Sequence, residues 1–383
     1  MLIHEPTNWE DVTFGEVVRN VTTNSQDASR SVGLEHLDGS ALSVNKWSEG
    51  KESTFKRRFS HGHTLFGKRR AYQRKSGYAD FDGVCSSDIL VFEARPGRLL
   101  PTYLPLIVRS ETFHRLALET SAGSLSPRTS WKSLASYAFK LPPLAEQQRI
   151  VDLMWAFERS AQAKQIALDE ARQAELSALA ELYDEPSWPK RRVDKAGEVQ
   201  LGMKREPSVH SGQHLRPYLR VANVGDDELN LDDVLEMNFN EAHFEKYQLR
   251  PGDILLNEGQ SLEYVGRSAM FRGEIDGCCF QMTLVRFRSG AEILPAFAHG
   301  WFRRCLHVGD FARVAKRTTS IAHLPAGLLS AQLIPVPSMP EQERVVARLA
   351  AARELRLTLK RGLQETRTLM WRTLNALLDG QHG

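Results

Sequence analysis

Two long stretches of the chain carry apolar side chains at alternating steps of four and three residues. They cover residues 144–185 and 340–379, and eight and seven of the ten stepped positions, respectively, are apolar. This spacing is typical of coiled-coil helices, because it keeps one apolar stripe, the seam, facing a partner helix. The seam residues that we expect to be buried are Ile150, Met154, Phe157, Leu168, Leu182, Val345, Leu349, Leu359, Leu363, Met370 and Leu377.

Both stretches begin with the same motif. Residues Leu141–Val151 and Val336–Val346 follow the pattern apolar-Pro-x-apolar-x-Glu-Gln-x-Arg-apolar-Val, 195 positions apart. Proline disfavours helix in the residue before it, and a glutamate in the first turn favours a helix start. Each copy therefore predicts a junction between an extended segment and a helix. Two seams of equal length most simply pair with each other, although each helix could instead pack on its neighbouring segment.

The segments before the helices, residues 1–143 and 186–339, resemble each other weakly. Both contain apolar runs of strand length between Gly and Asp residues, and a helix is expected around 104–118. Several pairs of similar segments indicate a duplication. The pairs are Trp9 with Trp188, 15–17 with 197–199, 83–92 with 277–286, 99–101 with 293–295, and 134–136 with 329–331, and the last three have an offset of 194 or 195. The prediction is an α+β fold with two tandem mixed domains, each followed by a long helix, the helices pairing as an antiparallel coiled coil, and a tail at 380–383.

Composition excludes several classes of protein. Of 383 residues, 42% are hydrophobic and 25% are charged, which is ordinary for a globular protein. No apolar run reaches the ~18 residues of a membrane span, and the N-terminus lacks the pattern of a secretory signal. The four cysteines form no Cys-x-x-Cys pair, so a reducing cytoplasm is the expected compartment.

One short segment concentrates positive charge. Residues 56–75 contain eight Lys or Arg and no Asp or Glu, in a chain whose formal net charge is only +3. Such a patch commonly contacts phosphates, although a solvated basic loop is the simpler alternative. The candidate DNA-binding residues here are Lys56, Arg57, Arg58, Lys68, Arg69, Arg70, Arg74 and Lys75. In the second domain they are Gln260, Tyr264, Arg267, Arg303, Arg304, Lys316, Arg317, Thr318, Thr319 and Ser320.

Motifs for chemistry are missing from the sequence. The segment 62–69 looks like a phosphate-binding loop, but Arg69 stands where the magnesium-binding Ser or Thr belongs. His61, His63 and Cys85 have no fourth ligand at a sensible spacing, and loop histidines are the simpler interpretation. No methyltransferase, nuclease or nucleophile-elbow motif was found. We therefore expect no catalytic residue, metal or cofactor in this chain.

The doubled motif with its two equal helices resembles the specificity subunits of Type I restriction-modification systems, over almost the whole chain. That resemblance implies two target-recognition domains that read the halves of a bipartite double-stranded DNA target, separated by the coiled coil. It further implies two methyltransferase subunits and the restriction/translocase subunits as partners, which would supply S-adenosylmethionine, ATP and Mg. Two alternatives stay open: a nuclease or methylase fused to a recognition module, and a stand-alone coiled-coil adaptor that binds only protein.

Overall fold

The computed structural model describes residues 8–25, 29–50, 54–206, 211–318 and 321–378. The chain divides into two compact units. Unit 1 comprises Met1–Ala167 and Leu359–Gly383, and unit 2 comprises Leu168–Thr358. Each unit therefore combines one mixed domain with a part of both long helices. Within the described ranges, no helix is long and apolar enough to cross a membrane.

The first half of the chain builds two four-stranded sheets and a two-stranded ribbon. The strands are β1 Glu10–Thr13, β2 Val18–Val21, β3 Arg30–Val32, β4 Ser48–Glu49, β5 Arg57–Phe59, β6 Thr64–Gly67, β7 Ser76–Tyr78, β8 Gly83–Cys85, β9 Ile89–Ala94 and β10 Ala138–Leu141. The helices are α1 Phe14–Val17, α2 Leu104–Arg109, α3 Glu111–Glu119, α4 Trp131–Ala135 and α5 Leu144–Leu182. The strand orders are β2-β9-β6-β7, β4-β3-β8-β5 and β1-β10.

The second half repeats this plan with local changes. Its strands are β11 Lys190–Arg192, β12 Gly197–Leu201, β13 Leu215–Leu219, β14 Leu235–Asn238, β15 Ile254–Asn257, β16 Gly259–Gln260, β17 Ser268–Met270, β18 Cys279–Phe280, β19 Leu284–Ser289, β20 Lys316–Arg317, β21 Ala322–His323 and β22 Leu333–Pro335. Its helices are α6 Val193–Ala196, α7 Glu241–Tyr247, α8 Pro295–His307, α9 Asp310–Val314, α10 Ala326–Ala331 and α11 Met339–Leu378. The strand orders are β12-β19-β15-β17, β14-β13-β18, β16-β21-β20 and β11-β22.

Strand β9 lies inside its sheet and is buried on both faces. Leu90 and Phe92 join the core beneath the helices, whereas Ile89 and Val91 join a second core against the other sheet. Successive side chains of a strand point to opposite faces, so a strand between two cores reads as a continuous apolar run. Strand β19 has the same place in unit 2, but Arg286 interrupts its apolar run.

The strand register corrects two details of the predicted repeat. Thr64 of β6 pairs with Phe92, and Ile254 of β15 pairs with Phe287, so β9 and β19 are equivalent at an offset of 195. The predicted pairing of 83–92 with 277–286 was thus wrong by one residue, which would move every side chain to the other face. The pairing of 15–17 with 197–199 was also wrong, because the first segment lies in α1 and the second in β12. Short motifs of three residues recur by chance in unrelated elements.

The predicted helix around 104–118 is two helices. Ser110 has an extended backbone between α2 and α3, and its side chain accepts a hydrogen bond from the N–H of Phe113 (3.3 Å). A serine that caps the first turn satisfies an amide that would otherwise lack a partner. The apolar spacing alone could not reveal this break.

The glutamine of the repeated motif fixes each long helix to its domain. Gln147 is fully buried, and its side chain accepts a hydrogen bond from the N–H of Leu100 (2.9 Å). Its amide group donates to the carbonyl oxygens of Arg98 and Pro142 (2.9 Å each). The equivalent partners of the buried Gln342 are the N–H of Leu294 (2.8 Å) and the carbonyl oxygens of Glu292 and Pro337 (2.9 Å each). Buried polar groups are stable when they are hydrogen-bonded, and each of these amides has three partners. The glutamine of the motif therefore has a structural role.

Helices α5 and α11 pack antiparallel within each unit. In unit 1, Met154 shares a core cluster with Met370 and Leu374, and Lys164 Nζ donates to Thr366 Oγ1 (2.5 Å). In unit 2, Glu175 accepts a hydrogen bond from Arg356 Nε (2.6 Å), and Leu179 shares a cluster with Leu349. The polar interruptions of the two seams thus pair with each other. Every seam residue predicted from the sequence is buried or partly buried.

Candidate nucleic-acid interface

The second part of the basic segment, residues 68–75, forms the connection between β6 and β7, and the same connection recurs in unit 2. Its ends are closed by a hydrogen bond from the N–H of Gly67 to the carbonyl of Lys75 (2.8 Å). In unit 2 the N–H of Asn257 donates to the carbonyl of Arg267 (2.9 Å), between β15 and β17. Residues 68–75 and 258–267 are therefore equivalent, and two candidate sets that looked unrelated in the sequence share one structural position.

Unit 2 builds a three-stranded ribbon beside this connection. Strand β21 lies between β16 and β20, so Gln260 and Arg317 both pair with Ala322. Lys316 and Arg317 are exposed, as is Thr318 beside them. The structure thus brings together candidate residues that lie more than fifty positions apart in the chain.

Tyr264 and Arg267 lie in the same connection. The guanidinium of Arg267 sits 5.1 Å from the centroid of the Tyr264 ring, which is about half exposed (47%). An exposed ring with a cation over it offers a face for stacking and a charge for a phosphate. Thr319 and Ser320, also predicted as DNA-binding, lie outside the described residues.

Unit 1 forms a comparable ribbon from the segment 122–128 and residues 69–70 of the basic segment. Arg128 makes antiparallel bridges to both Arg69 and Ala122, and the N–H of Arg70 donates to the carbonyl of Pro127 (2.8 Å). At the tip of this turn, Leu125 is 91% exposed. We call the two arrangements the unit 1 ribbon and the unit 2 ribbon.

A carboxylate orients a cationic or polar side chain in each ribbon. Asp88 accepts hydrogen bonds from Arg128 Nε (3.0 Å) and Arg69 Nη1 (3.4 Å). Burial acts to raise the pKa of Asp88, but the two arginines outweigh it and hold that pKa below its ordinary value. In unit 2, His323 Nδ1 lies 3.1 Å from Glu258 Oε2.

Several cations of the basic segment already have partners. Arg74 donates to both oxygens of Glu111 (2.7 and 2.6 Å), and Lys75 Nζ donates to the carbonyl of Leu34 (2.7 Å). Arg58, on the edge strand β5, lies 3.9 Å from Asp82. Within residues 56–75, all of which the structure describes, the basic side chains that form no salt bridge are those of Lys56, Arg57, Lys68, Arg70 and Lys75. In the described part of unit 2, α7 precedes β15 at the place where unit 1 has strand β5 before β6.

Arg303 requires a correction, because it is not available to DNA. Its side chain is 7% exposed and forms ion pairs with Glu175 (2.6 Å) and Asp226 (3.1 Å). Arg304 is partly exposed, pairs with Asp310 and lies 4.8 Å from the centroid of the Trp301 ring. Both arginines lie on helix α8, where one face points into the core. The two adjacent arginines in the sequence do not show which of them lies on the buried face of the helix.

Sequence reasoning missed Arg128 and His323. They occupy the same place in the two ribbons, 195 positions apart, which is the offset of the repeated motif. Aligning the loops at that offset would have paired them. Their partners, Asp88 and Glu258, come from different positions of the repeat and could be assigned only from the structure. No group of three or more potential metal ligands occurs within the described ranges.

Comparisons with known proteins agree with this architecture. Residues 6–173 match the family described as Type I restriction modification DNA specificity domain. The chain is 26% identical to the Type I restriction enzyme EcoDI specificity subunit of Escherichia coli over 153 residues, which are 38% of this chain and 34% of that relative. The chain therefore matches about a third of the length of this curated relative.

Two solved structures have the same fold over nearly the full length. One belongs to a type I R-M system studied for complex assembly and conformational transition, with a TM-score of 0.60, 21% identity and 98% of each chain covered. The other is the Type-I restriction-modification system S subunit from M. genitalium, with a TM-score of 0.57 and 11% identity, covering 99% of this chain and 98% of the other. The resemblance and the α+β fold predicted from the sequence are confirmed.

Proposed function

We propose, from the premise that the chain belongs to the Type I restriction-modification specificity family, that it binds a bipartite double-stranded DNA target. The unit 1 ribbon contacts one half of the target and the unit 2 ribbon contacts the other. The chain thereby gives sequence specificity to a Type I restriction-modification complex.

The observation that carries this proposal is the same ribbon built twice with polar and cationic side chains on it. A β-ribbon fits the major groove of B-DNA, where each base pair presents a distinct pattern of donors and acceptors. Gln260 offers the amide that reads adenine, while Lys316 and Arg317 offer charge for phosphates. The two ribbons differ in their residues, so the two half-sites differ in sequence.

The chemistry of the complex belongs to other subunits. We propose that the chain recruits two methyltransferase subunits, which use S-adenosylmethionine, and through them the restriction/translocase subunits, which use ATP and Mg. The chain itself positions these partners on DNA and makes or breaks no bond.

Two paired substitutions test the DNA interface. Lys68→Glu with Arg70→Glu changes the unit 1 ribbon, and Lys316→Glu with Arg317→Glu changes the unit 2 ribbon. Each pair should weaken DNA binding and lower the slope of log affinity against log salt by about 0.9 for each lost phosphate contact. Arg159→Glu, at an exposed position of α5, is the matched control and should leave both quantities unchanged.

Methylome sequencing of a host with and without the gene identifies the target. We expect one bipartite methylated motif that depends on the gene. If no motif depends on it, and if both ribbon variants bind random-sequence DNA like the wild type, then the proposal fails and the adaptor alternative gains support.

A further inference from the structure

We propose that Arg128 reads a guanine in the half-site bound by the unit 1 ribbon, and that Asp88 orients it for that contact. This inference rests on the proposed function and adds a specificity-determining residue to it.

The backbone of Arg128 is held on both sides. Its N–H donates to the carbonyl of Ala122 (2.9 Å), and its own carbonyl accepts from the N–H of Ala122 (3.0 Å). The neighbouring residue, Thr129, is buried and donates its N–H to the carbonyl of Lys68 (3.0 Å). These hydrogen bonds fix the position of the Arg128 backbone, and so of its Cα atom, in the middle of the ribbon.

The guanidinium of Arg128 is fixed at one edge and free at the other. Nε donates to Asp88 Oδ1 (3.0 Å), and the side chain is 48% exposed. Neither terminal nitrogen has a hydrogen-bond partner within the described ranges. Arg69 does not compete for this role, because its Nη1 donates to Asp88 and its Nη2 to Ser126 Oγ (3.1 Å).

A free pair of terminal N–H groups matches guanine better than any other base. Guanine presents two adjacent acceptors, N7 and O6, in the major groove, whereas adenine presents an acceptor and a donor. A phosphate also accepts two hydrogen bonds, but a phosphate contact needs no fixed direction. Asp88 supplies that direction and reduces the side-chain freedom lost on binding.

The equivalent residue of unit 2 predicts a different preference. His323 offers Nε2 alone to a ligand, because Nδ1 faces Glu258. A single ring nitrogen cannot make the bidentate contact that guanine allows. The guanine dependence should therefore occur in one half-site and not at the same place in the other.

Selection from a random duplex pool with the full chain provides the test. The wild type should select two blocks of sequence. Replacing one G·C pair in one block by A·T should lower the affinity of the chain for the duplex roughly 10- to 100-fold. In Arg128→Ala the preference at that position alone should disappear. Arg128→Lys, which retains the charge but not the fork, should keep affinity and lose most of the preference. Arg159→Ala is the control with the same change of charge.

Two further measurements separate base reading from general attraction. A duplex with 7-deazaguanine at the selected position lacks the N7 acceptor, and it should weaken binding of the wild type but not of Arg128→Ala. Asp88→Asn removes a negative charge beside the DNA. We expect it to reduce the discrimination between G·C and A·T while affinity for unrelated DNA stays equal or rises.

The outcomes are distinguishable. If Arg128→Ala keeps every base preference, or weakens binding to all sequences equally, the residue contacts phosphate or nothing and the inference is overturned while the proposed function stands. Equal loss from 7-deazaguanine in wild type and Arg128→Ala also overturns it. A wild-type chain that selects no sequence overturns both the proposed function and the inference.

Discussion

Units 1 and 2 each bury an arginine at the same position of the repeat, but they satisfy its charge differently. Arg109 of unit 1 donates to four backbone carbonyls, those of Asp38, Gly39, Ala41 and Ser76. Arg303 of unit 2, 194 positions later, pairs with Glu175 and Asp226. Burial lowers the pKa of Arg109 to about 10. Burial opposes the charge of Arg303 as well, but Asp226, Asp227 and Glu175 raise its pKa above the ordinary value.

The difference extends to the long helices. In unit 2, Glu175 of α5 accepts from both Arg303 and Arg356, and Arg356 also donates to Asp227 (2.6 Å). In unit 1 the two helices are joined by a hydrogen bond from Lys164 to the uncharged side chain of Thr366. A duplicated fold thus retained one cationic position and surrounded it with carbonyl groups in one copy and carboxylates in the other. Carbonyl groups cannot be titrated or lost to one substitution, whereas a carboxylate can.

The largest expected effect is that of Glu175→Ala. The substitution removes one carboxylate partner from each of the buried Arg303 and Arg356, and removing one partner of a buried ion pair costs about 3–5 kcal/mol. We expect the free energy of unfolding of unit 2 to fall by that amount in chemical denaturation. Thr366→Val in unit 1 removes the hydrogen bonds with Lys164 and with the carbonyl of Gly362, and should cost only about 1–2 kcal/mol.

Glu170→Ala, at an exposed position of the same helix, is the control for Glu175 and should stay within about 0.5 kcal/mol of the wild type. If Glu175→Ala costs no more than this control, the ionic network does not stabilise unit 2. The different partners of the buried arginines would then make no difference to the stability of the two units.

The second prediction concerns what the units share. Gln147→Ala and Gln342→Ala each remove three buried hydrogen bonds of about 1 kcal/mol. Each should lower the free energy of unfolding by about 3 kcal/mol, and the two losses should be similar. The controls are Gln148→Ala and Glu343→Ala, which are exposed, adjacent and themselves equivalent in the repeat. Clearly unequal losses would show that the two junctions are not energetically equivalent.

The smallest expected effect is a pH dependence of the stability of unit 2 that comes from His299, a residue without an equivalent histidine in unit 1. His299 is buried between Asp227 and the carbonyl of Ser268, and burial lowers its pKa to about 4 despite the nearby carboxylate. The unfolded state binds the proton first as pH falls below about 6.5, so stability is complete above that pH and declines towards pH 4. Unit 1 has Pro105 at the equivalent position.

The loss attributable to His299 should reach about 2 kcal/mol between pH 7.5 and pH 5. His299→Gln should remove that part of the pH profile in denaturation experiments, and His61→Gln, at an exposed position of unit 1, should not. A profile of His299→Gln that parallels the wild type over this range would contradict the prediction.

Much of the architecture followed from the sequence because it depends on regular spacing. The seam positions, the junction motif and the offset of 195 all reflect periodic burial, which is written along the chain. The sequence alignment of β9 with its equivalent β19 was wrong by one residue, because the two strands share little identity. For the interface, Lys68, Arg70, Lys316 and Arg317 stood out in the sequence as clustered basic residues, and the structure leaves them exposed or partly exposed. Arg303 stood out for the same reason and is buried.

The sequence by itself determined the duplication, the two long helices and the place where each begins. Proline, glutamate and apolar spacing act within a few residues, and their effect can be read without a fold. Only the tertiary structure decided which charges are free and which are neutralised. Arg303 and Glu175 lie 128 positions apart, and Arg128 and Asp88 lie 40 apart. An ion pair depends on distance in space, and the chain brings such residues together only when its sheets and helices pack.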